Sequence, residues 1–342
     1  MASSRLMRGA STIMAGWMNA ALDGLVREGL DRRALTHGLR GFEAGFVARD
    51  SRVDVASARR LWRRAAVLHP DPLLGLKVGA GLPVQATNVV AIIGAHSATV
   101  GEALTRLLRY QQLVSNSGVY HAAQEAEGLR LSYVPAASPV EVHRLQVESV
   151  LGSTAGRRAG LNGSGVRPRR VVLMTGAPAP RAVYEDFLEL PVEFGPRAGL
   201  VFAREDLARP IPGADPRLLE LNMAYAEGLL RDQDRDEALC AHVQAVIRRA
   251  GFETATASAA ARELGLSVRS LQRRLAEAGV SFSQLRDETR MREAMLLLTQ
   301  SRLSLAELAR RLGYSQESAF SRAVKAWWGL TPRKLRQDAE SA

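Results

Sequence analysis

The feature that most constrains this chain is a local pattern spelled twice near its C-terminal end. "ARELGLSVRSL" (Ala261 to Leu271) and "ARRLGYSQESAF" (Ala309 to Phe320) each carry a small alanine, a glycine four residues later, and then a large apolar residue. Each position has a mechanical reason. The alanine lets two helices cross closely. The glycine supplies the positive φ that ends the first helix. The apolar residue closes a small core from the second helix. Gly265 is followed by Leu271, whereas Gly313 is followed by Phe320, so the second turn is one residue longer. Ser267 and Ser315 are expected to cap the second helix of each pair. Between the copies, "SFSQLRDETRMREAMLLLTQS" predicts one long helix, capped by Ser281 and Gln284 and carrying an apolar stripe of Met291, Ala294, Met295 and Leu298. Ser304 and Glu307 predict a capping box for the helix that follows.

Two helix-turn-helix units on one rigid helix can enter successive major grooves on one face of DNA, about 34 Å apart. In the first unit the exposed face carries Arg269 and Arg273, with Gln272 beside the buried Leu271. In the second it carries Gln316, Glu317, Ser318 and Arg322, with Phe320 and Val324 inward. These side chains suit base edges: arginine pairs with guanine, glutamine with adenine, glutamate with cytosine N4. Glu317 has a second reading, as an acid complementing the helix dipole. Ser267, Arg274, Lys325, Arg333 and Lys334 are candidates for phosphate contacts, which position without specifying. Of Trp327 and Trp328, at least one is expected in the core.

These segments resemble the DNA-binding domain of AraC/XylS-type transcriptional regulators. The resemblance rests on "GYSQESAFSR" and the closing "GLTPRKLR", within about 100 residues from roughly Asp236 to Gln337; one departure from the family is Leu335, where an aromatic is usual. It implies the base-edge and phosphate roles given above. The preceding region is similar to the subgroup with an arabinose-binding-type regulatory domain, through "DPLLGLKVG", "GEALTRLLRYQQLV" and "VEFGPRAGLVFAREDLARPIPGAD". That likeness implies an effector-binding or dimerising domain and no particular ligand.

The residues upstream read as α+β (α/β-like) with a small sheet. "LRLSYV", "RRVVLM" and "GLVFA" predict strands. "TVGEALTRLLRYQQLV" predicts an amphipathic helix with a Thr99/Glu102 capping box, and "SPVEVHRLQVESVLGSTAG" another helix. Ile13, Trp17, Ala20, Ala21 and Leu25 recur at helical spacing and predict a surface helix. No strand is expected after Asp215. "RDQDRDE" (Arg231 to Glu237) reads as a charged connector, so the expected domains are 1–232 and 236–337. "RRLWRR" (Arg59 to Arg64) reads as a solvated helix face, and "AGLNGSG" (Ala159 to Gly165) as a mobile loop lacking the lysine and spacing of a phosphate-binding loop.

Composition supports this and narrows the function. The chain has 342 residues, 46% hydrophobic, with a net charge of +11, and only three of its 46 basic residues are lysines (Lys77, Lys325, Lys334). The overall arginine excess is assigned to genome composition, and only arginines on particular helix faces to DNA. One cysteine, Cys240, allows neither an internal disulfide framework nor a Cys-rich zinc site, and fits a cytoplasmic protein. His69, His96, His121 and His143 lack ligand spacing, so no metal is expected, and no cofactor. No nucleophile motif or paired carboxylates suggest an enzyme. No signal peptide, membrane span or membrane partner is expected. The partners expected are double-stranded promoter DNA, a small-molecule effector, RNA polymerase if the protein activates, and a second copy in a homodimer. Two readings stay open: an effector-responsive regulator, or a regulator whose N-terminal domain only dimerises or binds protein. The effector-binding residues are not legible in the sequence.

Overall fold

The computed structural model describes residues 12–39, 42, 52–136, 142–156 and 160–340. The chain divides into two units, one spanning 11–231 and the other containing 232–342. In chain order the first unit comprises β1 (Thr12–Met14), α1 (Ala15–Arg27), α2 (Arg32–Thr36), β2 (Arg52–Asp54), α3 (Val55–Leu68), α4 (Leu74–Ala80), α5 (Val89–Ala95) and α6 (Val100–Val114). It continues with β3 (Gly118–Glu125), β4 (Gly128–Pro135), α7 (Arg144–Ala155), β5 (Arg170–Met174), α8 (Arg181–Leu188), β6 (Val192–Gly195) and β7 (Gly199–Ala203). Helix α9 (Pro216–Ala250) belongs to the first unit up to Arg231 and to the second from Asp232. The expected connector Arg231 to Glu237 is therefore helical. Its alternating acids and arginines suit an exposed helix as well as a loop, and it contains neither glycine nor proline to end one.

The main sheet has the order β3-β4-β7-β5-β6 and is antiparallel except for β5 and β6, which run parallel around α8. The strands read from sequence are the three central ones. The two edges, β3 and β6, were not anticipated, because β3 buries only its first three residues in succession and β6 is four residues long. A separate antiparallel pair joins β1 to β2. Ile13 lies in that pair rather than in a helix, and α1, expected on the surface, buries Trp17, Met18, Ala21, Leu22 and Leu25 in a helical core.

Helix α7 is buried over most of its surface, Gln146 and Glu148 included, and crosses α4 at backbone distance. A Cβ on Gly79 would lie 2.2 Å from the Ser149 carbonyl oxygen, and one on Gly152 would lie 2.6 Å from that of Leu76. The helix was expected from Ser138. It begins at Arg144, capped by His143, whose Nδ1 accepts from the Leu145 amide at 3.2 Å; residues 137–141 lie outside the described residues. Thr99 caps α6, accepting from the Glu102 amide at 3.3 Å, but the reciprocal half of the expected capping box is not formed, because the Glu102 carboxylate takes Arg106 at 2.7 Å. "RRLWRR" is half-buried rather than solvated: Trp62 is in the core, and Arg64 donates to the carbonyls of Leu35 and His37 at 3.0 and 2.7 Å. Those acceptors close the end of α2, which gives a charged residue a reason to face inward.

The second unit is all helical: α10 (Ala257–Glu263), α11 (Val268–Glu277), α12 (Phe282–Gln300), α13 (Leu305–Arg311), α14 (Glu317–Trp328) and α15 (Pro332–Glu340). Both capping boxes, Ser281/Gln284 on α12 and Ser304/Glu307 on α13, are formed. Ala294, Met295 and Leu298 bury the stripe of α12.

Candidate nucleic-acid interface and internal cavity

Each helix-turn-helix is built as its sequence requires. Gly265 and Gly313 turn at φ +64° and +73°. Ala261, Leu271 and Leu275 close one small core, and Ala309, Phe320 and Val324 the other. Ser267 caps α11, accepting from the Ser270 amide at 3.1 Å. The corresponding expectation for Ser315 is not met. Because the second turn is a residue longer, the N-cap of α14 is Gln316, and its side chain makes no cap bond. Its amide oxygen instead accepts from the Ser318 hydroxyl at 3.3 Å.

Arg269, Gln272, Arg273 and Arg274 are all exposed on α11, opposite Leu271 and Leu275. At about 100° per residue, Arg269 and Arg273 share the outward face, and Gln272 and Arg274 stand on its two flanks. Arg273 also faces Glu277 one turn on, at 3.8 Å. The Ser267 hydroxyl is committed to Ser270, with a further bond to its side-chain oxygen at 2.9 Å. What Ser267 offers an anion is the amide-bearing start of a helix.

On α14 the same reckoning separates residues that the sequence left together. Ser318, Arg322 and Lys325 lie at i, i+4 and i+7, opposite Phe320, Val324 and Trp328, and all three are exposed. Lys325 thus shares the outward face with Ser318 and Arg322. Glu317 falls on the meridian of the buried residues. It lies in a cleft of about 330 Å³ with Leu305, Pro332, Arg333, Arg336 and Gln337. The structure does not bring Glu317 together with Arg322. Arg333 and Lys334 are exposed in the first turn of α15. Trp328 is buried, and the half-buried Trp327 stacks edge-on against both Trp328 and Tyr314.

Arg290 and Arg336, which sequence reasoning passed over, brace the two readers on α12. Arg290 donates to the Phe252 carbonyl at 3.0 Å, with its guanidinium 5.2 Å from the Tyr314 ring centre. Arg336 donates to the Leu303 carbonyl at 2.9 Å. A planar fork that pairs with carbonyls and stacks on a ring is a use only arginine serves.

The first unit holds a cavity of about 590 Å³, between the helical core around α1 and α3 and the face of the sheet. Trp17, Trp62, Leu104, Tyr120, Tyr133 and Gln146 are among its walls. No Asp, Glu, Lys or Arg is among its described lining residues. Tyr120 and Tyr133 are register partners on β3 and β4, with ring centres 5.3 Å apart in an edge contact. Burial holds both hydroxyls above the ordinary phenol range. The wall amides differ in their bonding. Gln111 is fully engaged, accepting from the Tyr120 amide at 2.6 Å and donating to the carbonyls of Leu108 and Tyr120. Gln146 donates to Ser117 Oγ at 3.5 Å, and its oxygen has no partner. The loop read as mobile supplies wall residues Gly160 to Gly163. It is folded: the Leu161 amide donates to the Val166 carbonyl at 2.7 Å, and Asn162 is left-handed at φ 51°. The signal that could have identified it is the run of Gly and Asn, which permits such a tight ring.

Comparison with known proteins agrees with this architecture. Residues 29–211 match the family model described as the arabinose-binding domain of AraC transcription regulator, N-terminal, and residues 260–338 match a helix-turn-helix domain model. The ornithine utilization regulator of Pseudomonas aeruginosa is 26% identical over 96% of this chain and 97% of its own. The transcriptional regulator VirS of Mycobacterium tuberculosis is 28% identical over 84% of this chain and 85% of its own. The regulator GlxA of Rhizobium meliloti is 40% identical over 25% of this chain and 26% of its own. With tandem helix-turn-helix units in the second unit and the matching regulatory domain in the first, the chain belongs to the AraC-type transcription regulators, as a DNA-binding protein and not an enzyme.

Proposed function

We propose that the protein is an effector-responsive regulator in which residues 1–232 bind a small molecule and residues 236–337 read promoter DNA. The observation that carries the effector half is the internal cavity of about 590 Å³ in the first unit. That volume falls within the range of about 300–1,000 Å³ usual for small-molecule sites. A dimerisation module has no need of such a cavity. In the reading half, Arg269, Gln272 and Arg273 on α11 and Gln316, Ser318 and Arg322 on α14 meet base edges. Ser267, Arg274, Arg333 and Lys334 hold phosphates. Lys325 joins the base-reading face of α14, and Glu317 serves the helix dipole rather than a base. Effector and operator must then change each other's affinity by the same factor.

The name of the Pseudomonas aeruginosa relative suggests ornithine for that protein. The described cavity walls here offer no charge to pair with an ionised amino acid, and ornithine is not adopted as the effector. Two further partners belong to the same reading. A second copy of the chain is favoured by Leu218, Leu221 and Tyr225, which lie exposed at i, i+3 and i+7 along α9. RNA polymerase enters only if the protein activates. Among the described residues no helix is long and apolar enough to cross a membrane; the cytoplasm is the proposed location.

Footprinting of the full chain on fragments of its own genome, at two salt concentrations, tests the reading half. Two protected patches about one helical turn apart per chain, persisting at the higher salt, are expected. Protection that is uniform over sequences and collapses with salt would reduce the binding to charge alone. Sedimentation of the wild type against Leu221→Glu tests the dimer.

A further inference from the structure

Helix α12 sets the distance between the two readers, but each joins it through a short turn, residues 278–281 on one side and 301–304 on the other. A few turn residues can absorb a rotation, so the rod alone does not fix how α14 is turned relative to α11. A second link between the readers exists. Phe252 is buried in the turn that leads from α9 into α10, and Tyr314 is half-buried in the turn between α13 and α14. Arg290 on α12 reaches both. Its guanidinium lies 5.6 Å from the Phe252 ring centre and 5.2 Å from that of Tyr314, and its Nη2 donates to the Phe252 carbonyl at 3.0 Å. A cation over two rings, with a bond to a carbonyl, is directional toward each side. Tyr314 carries the link onward: its ring centre is 5.7 Å from that of Phe320 and 6.5 Å from that of Trp327, both on α14. The two turns also meet at the backbone. A Cβ on Gly313 would lie 3.2 Å from the Glu253 amide nitrogen and 3.3 Å from Phe252 Cβ.

We infer that Arg290 is a positioning residue for DNA reading: by tying Phe252 of the first reader to Tyr314 of the second, it fixes the rotation of α14 relative to α11 and so the number of base pairs the chain accepts between its two recognition segments. This rests on the proposal that α11 and α14 read DNA. Arg290 is half-buried against the two rings and acts through Tyr314 rather than on a base. The consequence is sharp because DNA couples distance to rotation. One base pair added between two segments moves the second by about 3.4 Å and turns it by about 35°. A pair of readers locked in rotation cannot follow that change, whereas a pair joined by the rod alone can.

The test uses the full-length protein on a site located by footprinting, and on copies of that site with one base pair inserted or removed between the two protected patches. The wild type is expected to bind the altered copies at least about tenfold more weakly, a penalty like that of one wrong base pair. Arg290→Met keeps much of the side chain's length and loses its fork. It should narrow the penalty to about threefold or less and leave base preference within each patch unaltered. Arg336→Met is the comparison, since Arg336 holds α15 to the carbonyls of Leu298 and Leu303 on the second reader's side. It should weaken every copy by one common factor. An unchanged penalty in Arg290→Met, with affinity lowered alike at all spacings, would leave the residue a structural role only and overturn the inference. So would a penalty relaxed equally in Arg336→Met, or a wild type indifferent to spacing. Should Arg290→Met lack a cooperative melting transition, Tyr314→Leu breaks the stack from its other side, leaves the bond to Phe252 in place, and should relax the penalty instead. Loss of melting in both would mean that the stack holds the fold rather than the spacing, and would also overturn the inference. No sequence-specific protection by the wild type would overturn the DNA-reading proposal and this inference together.

Discussion

Arg144 grips Glu148 one turn further along α7, its Nη1 lying 2.5 and 2.6 Å from the two carboxylate oxygens. The same nitrogen reaches the Pro72 carbonyl at 3.0 Å, tying α7 to the segment before α4. Burial outweighs the attraction of Arg144, and the Glu148 carboxyl is pushed up from an ordinary 4.5 to about 7. The folded state therefore holds a proton that the unfolded chain has already released. The resulting stability is fully present below the ordinary value and is lost as pH rises through about 7. The slope is at most about 1.4 kcal/mol per pH unit. Glu148→Gln, which stays neutral, should remove it. Melting of wild type and variant between about pH 5 and pH 8 should show the wild type losing ground as pH rises. Parallel curves would refute the assignment. His143 is shifted the other way, its pKa lowered by burial and by Arg144 and Arg63, so it favours the folded state above the ordinary histidine value. That contribution is common to both proteins and drops out of their difference.

Arg269→Ala and Arg322→Ala should each weaken a specific site by about 1–3 kcal/mol and relax base choice at one position only. Glu317→Gln is the internal comparison. Since Glu317 lies off the outward face of α14, it should leave base preference unaltered. Site selection with each variant reads the outcome. Altered preference in Glu317→Gln would return that residue to the base-contacting set.

Arg274 and Lys334 should behave differently from the base readers. Each alanine variant is expected to weaken binding to all sequences alike. Each should also lower the dependence of log affinity on log salt by about 0.9 per lost phosphate contact. Titrations at several salt concentrations decide this. An unchanged slope would place these side chains away from the backbone of the DNA.

Gly79→Ala and Gly152→Ala should destabilise the first unit toward the upper end of the roughly 1–3 kcal/mol usual for overpacking. The added methyl groups meet backbone carbonyls, which cannot swing aside as a flexible side chain would. Urea unfolding followed by circular dichroism measures the cost. Wild-type stability in both would show that the two helices can separate freely.

The readers were legible because their signals are local. Gly265 and Gly313 announce left-handed turns, Ser281, Gln284, Ser304 and Glu307 announce helix starts, and the one-residue difference in turn length can be counted directly in the sequence. Even there the sequence misassigned the cap of α14 to Ser315. It also grouped Glu317 with Arg322, because a helix's angular origin depends on where it begins. In the regulatory domain the central strands β4, β5 and β7 were readable from their apolar runs. The edges β3 and β6 were not, since an edge strand is only partly covered and carries a weaker pattern.

What the sequence by itself determined is the pair of DNA-reading helices, whose geometry follows from neighbours within about a dozen residues. What only the tertiary structure decided is the cavity. Trp17, Trp62, Tyr120 and Gln146 stand far apart along the chain, on α1, α3, β3 and α7, and their spacing carries no period to read. They become one wall because α7 packs at backbone distance on α4 while the sheet closes the opposite side.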